Sequence, residues 1–302
     1  MWRKIFFIIL LSSLLFANSA MAAQETVSYQ PTGVYLYFDN SNIMDITERV
    51  KPDENGIPLI KRYDLGWQYN PTTITQYGLE QYSKYIKTKD IKCKENAIKV
   101  ADWLVNNQTE EGTWKYDFKW NYRNANEILE PGWISGLAQG QAISLLSRIY
   151  TLSGDRKYLK AAENALIPFT KRVEDGGIVR YWENEYIFFE EYPTKTPSYV
   201  LNGFIFALIG LYDMHQNTGN ILARQLYENG EETLRHIAPM YDLATTTSYD
   251  LVHFVKPSSA PNAVKANYHS LHVKLMNYMF EITTDPLYKT LHDRWQTYAP
   301  PK

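Results

Sequence analysis

The sequence predicts a mainly α fold: an incomplete (α/α) toroid of about four helical hairpins, with a short N-terminal β-containing arm and a small β insert. Three observations carry this expectation. First, a weak repeat runs along the chain. Tyr85, Ile149-Tyr150, Leu211-Tyr212 and Met279-Phe280 each close the first helix of a pair, and each precedes a short polar turn and a second helix. The spacings from Tyr85 to Tyr150 to Tyr212 to Phe280 are 65, 62 and 68 residues, and repeated helical hairpins stack or close into rings. Second, the first helices are poor in charge, Leu201 to Leu211 having none. The second helices are amphipathic, as in Lys157, Lys160, Glu163 and Lys171 against Leu159, Ala162 and Leu166. An apolar inner ring inside an amphipathic outer ring follows. Third, the connections between pairs are long and aromatic, and such a fold gathers them at one rim.

In order, residues 1–23 read as a signal peptide: Arg3 and Lys4, an apolar run from Ile5 to Phe16, and the small-x-small site Ala20-Met21-Ala22. The run is short for a membrane span, so the chain is expected to be exported, periplasmic or secreted. Residues 24–69 form the arm, with strands expected at Gly33–Phe38 and Ile57–Ile60. Asp39, Asn40, Asn42 and Asp45 between them read as a solvated turn or a cation loop. Residues 70–302 form the helical domain. Pro71 opens the first helix, as proline suits a first turn. The pairs are Thr72 to Ile86 with Asp90 to Asn106, Trp133 to Leu152 with Asp155 to Val173, Tyr199 to Gln216 with Asn220 to Ala238, and Tyr268 to Thr283 with Pro286 to Tyr298. A β-like insert, Gly177 to Phe189, precedes the third pair. The arm either packs on the helices or makes a dimer contact, which leaves a homodimer open.

Composition narrows the function. The net charge is -2, so a strongly basic nucleic-acid binder is excluded. An anionic ligand then needs a local basic patch. The 24 tyrosines and 8 tryptophans suit a sugar-binding cleft, where rings stack and hydroxyls need partners, and equally an aromatic core. Cys93 stands alone and is expected as a buried structural thiol on the face of Ala97 and Ala101.

One segment stands out, from Glu190-Glu191-Tyr192-Pro193-Thr194 to Tyr199-Val200-Leu201-Asn202-Gly203. Paired carboxylates and a tyrosine end an aromatic run, prolines break the structure, and an apolar helix follows. Locally this is a surface turn with a helix start, or a preorganised functional loop. Pro131-Gly132-Trp133-Ile134-Ser135-Gly136 to Ser144, the Glu190–Thr194 run with Val200 to Phe204, Leu208 to Asp213, Tyr249-Asp250-Leu251 with His253-Phe254, Ala260-Pro261-Asn262, Tyr268-His269 with His272, and Gln76-Tyr77-Gly78-Leu79 together resemble the D-glucuronyl C5-epimerases of heparan sulfate and heparosan. The resemblance spans about Asn70 to Tyr298, that family's helical catalytic domain. Two departures stand out: the larger β domain of the animal enzymes is missing or much reduced, and Val252 replaces an arginine that follows their Tyr-Asp-Leu.

The resemblance implies epimerisation of glucuronate to iduronate in an anionic uronic-acid polysaccharide. That chemistry needs a base on one face of C5, an acid on the other, and positive charge or hydrogen bonds at the sugar carboxylate. Glu191 is the expected base, with burial raising its pKa; read locally, it is a surface acid paired with a lysine. Tyr268 is the expected opposite acid, with Tyr192 and Tyr249 orienting the sugar or sharing that role. Arg123, Arg180 and Lys265 are candidates for the carboxylate, Asn202, Asn262, Gln139 and Gln141 for sugar hydroxyls, and Trp133 and Trp120 for ring stacking. The glutamines read equally as helix–helix bridges. His269 and His272 are assigned to sugar contact or helix packing; their spacing also admits a metal, but no third ligand is evident, and no cofactor is expected. A lyase, an inverting hydrolase using Glu191 with Glu127 or Asp250, and a non-catalytic glycan binder are the rival readings.

Overall fold

The computed structural model describes residues 28–45 and 48–300; the expected signal segment, with Arg3, Lys4 and Ala20–Ala22, lies outside the described residues. In chain order the elements are β1 (Val50–Pro52), β2 (Pro58–Arg62), β3 (Gly66–Tyr69), α1 (Pro71–Thr88), α2 (Ile91–Asn106), β4 (Trp120–Tyr122), β5 (Glu127–Leu129), α3 (Gly136–Ser153) and α4 (Arg156–Asn164). There follow β6 (Val179–Trp182), β7 (Tyr186–Phe189), α5 (Leu201–Thr218), α6 (Ile221–Ile237), the single turn α7 (Val252–Val255), α8 (Ala266–Thr283) and α9 (Pro286–Gln296).

The charge-poor helices α1, α3, α5 and α8 are each 18 residues long and end alike. A left-handed residue closes each one: Lys89, Gly154, Gly219 and Thr284, at equal spacings along the chain. The next residue is the N-cap of the partner helix. Asp90, Asp155, Asn220 and Asp285 each accept a backbone N–H from the first turn of α2, α4, α6 or α9. Left-handed C-cap and Asx N-cap together make the tight reversal of a helical hairpin. α3 packs between α1 and α5, and α8 packs on α5, while each amphipathic partner lies outside its own inner helix. This is the incomplete toroid. The α3–α5 crossing is close because a side chain at Gly210 would sit 2.1 Å from the Gly140 carbonyl oxygen.

The N-terminal arm spans the gap between α1 and α8. Tyr35 N donates to Ser83 Oγ of α1 at 2.9 Å, and Tyr82 of α1 donates to Thr32 O at 2.8 Å. On the other side the Tyr29 ring meets Tyr278 of α8 edge-on at 6.3 Å, and Lys274 lies over the Tyr37 ring. Tyr29 also donates to Asp213 of α5, which is ion-paired to Arg148 of α3 and accepts from Ser144; all four are buried. The arm thus ends in a polar cluster at the centre of the ring.

Two expectations are corrected. Gly33–Phe38 is not a strand. Leu36 takes a left-handed φ of 51°, a 3-10 turn follows at Phe38–Asn40, and no described strand pairs with the segment. Its aromatics are spent on packing against helices instead. The helix expected to reach Val173 stops at Asn164, where the Gln108 and Gln139 amides satisfy the Ala161 and Ala165 carbonyls and Pro168 breaks the register. The Asp39–Asp45 turn holds lysines, Asp39 pairing with Lys87 and Asn42 with Lys84. Cys93 is only partly buried and lies 3.8 Å from Asp90. Among the described residues no helix is long and apolar enough to cross a membrane.

The ring's central ion pair sets a stability test. Asp213→Ala strands a buried guanidinium and is expected to cost about 3–5 kcal/mol. Tyr29→Phe removes one hydrogen bond to a charged group and is expected to cost about 1.5–3 kcal/mol. Denaturant unfolding reads both.

Candidate active site

The cleft lies at the rim where the inner helices begin. It has two compartments. One, of about 320 Å³, is lined by Glu191, Tyr192, Asn202, Trp133, Tyr116 and Tyr268 among others. The second, of about 810 Å³, is lined by Arg123, Tyr249, Asn262, Lys265 and their neighbours. Arg62, Trp120, Tyr192 and Tyr268 belong to both, so the compartments meet. The Glu191 compartment receives the first turn or cap of all four inner helices: Thr72 and Thr73, Ser135 and Leu137, Asn202, and Tyr268. Their positive dipole ends favour negative charge there.

Glu191 is the second residue after β7, and its side chain rests on the first turn of α5. A Cβ at Gly203 would lie 2.4 Å from Glu191 Oε2, so this glycine gives the carboxylate its seat. Asn202 Nδ2 reaches the same oxygen at 3.5 Å. Burial pushes the Glu191 carboxyl up to about 7; the Tyr192 and Tyr249 hydroxyls beside it act downward and the Glu190 charge acts upward. Its neighbour Glu190 is also buried and raised to about 7, but it faces the loop, accepting from Ser198 N, Ser198 Oγ and Tyr199 N.

Three tyrosines surround this carboxyl. The Tyr192 and Tyr249 hydroxyls are 3.4 Å apart, and the Tyr249 and Tyr268 rings meet edge-on at 5.4 Å. All three pKa values are raised, by burial first and by the Glu191 charge second. Tyr268 is 48% exposed, the most open of the three. Tyr192 is stacked between Trp120 and Tyr122, which fixes its ring. Trp133 stacks on Tyr116 at 3.8 Å and donates its indole N–H to Phe118 O.

Glu191, Tyr192, Tyr249, Tyr268, Arg123, Trp133, Asn202, Asn262 and Lys265 are therefore brought to one cleft. Others are not. Gln139 is fully buried, bonding Gly112 O, Ala165 O and Trp114 N as a helix–loop bridge. His269 and His272 share the Thr247 hydroxyl behind the wall, and His269 also meets Trp295 O. Burial lowers His272 to about 3, so it stays neutral. Sugar contact by these three is corrected to packing, because none reaches the cleft surface. Arg180 pairs with Glu174 and holds the Thr194 carbonyl, clamping the loop from behind.

The expected second acids of a hydrolase are also committed elsewhere. Glu127 accepts from Lys195 N and Thr196 N, and Asp250 is buried and accepts from Tyr122, Asn124, Asn262 and Val252 N. Among the described residues Glu191 is the one carboxylate on either compartment's wall, and no group of three or more His, Cys, Asp or Glu is placed to hold a metal. The residue that the sequence did not single out is Arg62 of β2. In the strand's alternation it shares a face with Ile60, and both line the Glu191 compartment. A short strand ending in arginine before an aromatic helical domain is the signal that was there to read.

Gly203→Ala would bring its methyl to 2.5 Å from Glu191 Cβ as well as 2.4 Å from Oε2, so Glu191 must shift as a whole. The variant is expected to melt lower and to lose more than about tenfold of any Glu191-dependent turnover, because a 1 Å displacement of a reacting group costs about that or more. Paired activity and thermal-melt measurements check it.

Comparison with known proteins agrees with the motifs. The family described as D-glucuronyl C5-epimerase C-terminus matches residues 107–297. The D-glucuronyl C5-epimerase of Caenorhabditis elegans is 39% identical over 213 residues, covering 66% of this chain and 34% of that protein. The chain thus spans about a third of that relative's length. An uncharacterized protein of Methanocaldococcus jannaschii is 26% identical over 97% of both chains. Among solved structures, an unsaturated glucuronyl hydrolase from Bacillus sp. GL1 aligns with a TM-score of 0.48 at 18% identity, over 76% of this chain and 60% of its own. A family 76 mannosidase from Bacteroides thetaiotaomicron gives 0.48 at 12% identity, over 79% and 60%. With the family matched across most of the helical ring and the whole Glu191 loop, this chain belongs to the D-glucuronyl C5-epimerase family.

Proposed function

We propose that this protein is an exported C5-epimerase that converts D-glucuronate to L-iduronate residues in a heparosan-like polysaccharide. The observation that carries the reading is that the one carboxylate on the described cleft wall, Glu191, is buried, raised to about 7 and shares a compartment with Tyr268 and Tyr192. A carboxyl poised near neutrality suits a general base. Glu191 takes the C5 proton, and the C5–H electron pair moves into the sugar carboxyl group to give an ene-diolate. A phenol returns a proton to the opposite face, with Tyr268 in that role, and the electron pair closes the new C5–H bond. Glu191 is then protonated and the phenol ionised. The Tyr192–Tyr249 hydroxyl contact offers a path for the proton to return, and solvent offers another. The inner-helix N-termini and the cleft cations stabilise the ene-diolate. The proton transfers require no cofactor in this reading, and the second compartment takes neighbouring sugars of the polymer.

The test is incubation with unsulfated glucuronate polymer in heavy water. Deuterium at C5 without chain shortening supports the epimerase. New ultraviolet absorbance at the product would instead identify a lyase, which forms the same ene-diolate but expels the C4 oxygen. New reducing ends would identify a hydrolase. Glu191→Gln and Tyr268→Phe are each expected to cut exchange more than about tenfold.

Exchange is also expected to rise with pH through about 7, because the base must be ionised. Stability moves the other way. A carboxyl raised from the usual 4.5 to about 7 is protonated in the fold where the unfolded chain has lost the proton. Its contribution is full below about pH 4.5 and lost as pH approaches 7. Glu191→Gln is therefore expected to be more stable than wild type at pH 8, by on the order of 2 kcal/mol, and equal to it at pH 4.5. Urea midpoints at the two pH values check the sign.

A further inference from the structure

Among the described residues three cations face the cleft, and they are not equivalent. Arg123 and Lys265 are exposed and line only the second compartment. Arg62 lines both, and so alone reaches the compartment that holds Glu191. Its guanidinium lies over two rings, 4.9 Å from the Phe118 centroid and 5.6 Å from that of Trp120. Stacking of this kind fixes the plane of the fork. One Nη donates to Lys119 O at 3.3 Å. The Nε is shut off from solvent and forms a long ion pair, 3.6 Å, with Oδ1 of the largely exposed Asp64. Arg62 is thus an oriented, partly desolvated fork held from one side by Lys119 O and Asp64, at the junction of the two compartments.

Position 252 supplies no charge to the site. Val252 replaces the arginine that follows Tyr-Asp-Leu in the family the motifs resemble, and it is fully buried with Tyr122, Ala125 and Val200 behind Tyr192 and Tyr249. The valine brings no charge to the cleft. Arg62 comes instead from the hairpin outside the matched segment, which begins at residue 107.

We infer that Arg62 binds the carboxylate of the reacting uronate and discriminates it from a neutral sugar, so that the N-terminal hairpin supplies the cation that Val252 cannot. The inference rests on the uronate-epimerase reading above for the identity of the ligand. A bidentate guanidinium matches a carboxylate, and its charge counts most when proton abstraction places a second negative charge on that group. Arg62 is a catalytic contact in this role, and Lys61, on the opposite face of β2, is not.

The experiment uses the full chain with two ligands: unsulfated glucuronate polymer, and the same polymer with its carboxyl groups reduced to alcohols. Binding is read by calorimetry and turnover by C5 deuterium exchange. Arg62→Gln is expected to lower exchange about 10–100-fold, the loss of charge-assisted hydrogen bonds, and to erase the affinity difference between the two polymers. Arg62→Lys restores part of both, and Lys61→Gln changes neither. Thermal melts confirm that each variant is folded. Arg62→Gln with wild-type exchange and an undiminished preference for the charged polymer would overturn the inference. Wild type that binds the charged polymer preferentially through Arg62 but shows no exchange would overturn the epimerase reading and leave the carboxylate site standing.

Discussion

Two adjacent carboxyl groups buried at the end of one strand are the constraint on which the rest of the structure depends. Glu190 and Glu191 both lie in low-dielectric surroundings that raise them to about 7. Their environments then diverge. Glu190 receives three donors from Ser198 and Tyr199, and its carbonyl receives Gly136 N at the start of α3. Those bonds hold the proline-broken loop closed and keep Tyr199 at a left-handed φ of 50°. Glu191 has one long hydrogen bond, from Asn202, with the Tyr192 and Tyr249 hydroxyls beside it, and faces the cleft. The satisfied carboxyl builds the loop and the unsatisfied one is left reactive, which is the usual signature of a site where local stability is given up for chemistry.

The ring positions that loop from beneath. Four hairpins with inner helices of equal length direct those helices so that each begins at the same rim. The cleft therefore collects four helix N-termini and the long connections between pairs. The arm completes the wall. Its first residues stitch α1 to α8 and insert Tyr29 into the Arg148–Asp213 pair, while its hairpin leans Ile60 and Arg62 over the Glu191 compartment. A segment that looks peripheral in the sequence is thereby joined both to the core and to the site.

Much of this was legible in the residues. The Glu190–Gly203 segment and the tyrosines at 192, 249 and 268 carried motif and chemistry together, and the structure gathers them. The hairpin repeat was visible through its aromatic closures, although the better marker was the Asx cap at 90, 155, 220 and 285, which recurs at a constant interval even though the outer helices and connections differ in length. What failed was side-chain direction. Gln139, His269 and His272 sit in matching motifs yet point away from the cleft, since helix periodicity gives a face and not what that face meets. The strand expected at Gly33–Phe38 failed for a related reason: aromatic, β-branched composition fits a sheet, but no strand among the described residues pairs with it. Arg62 was missed because its strand lies far in sequence from the motifs it serves.

The central claim is geometric: one pyranose lies with its C5 between the residue-191 side chain and a tyrosine hydroxyl on the opposite face. The most direct measurement is a crystal structure of the Glu191→Gln variant with an unsulfated glucuronate oligosaccharide bound. The account predicts C5 within about 3–3.5 Å of the residue-191 side chain, with the Tyr268 hydroxyl approaching from the other side of the ring. A sugar bound with both groups on one face of C5, or with C5 remote from both, would contradict it.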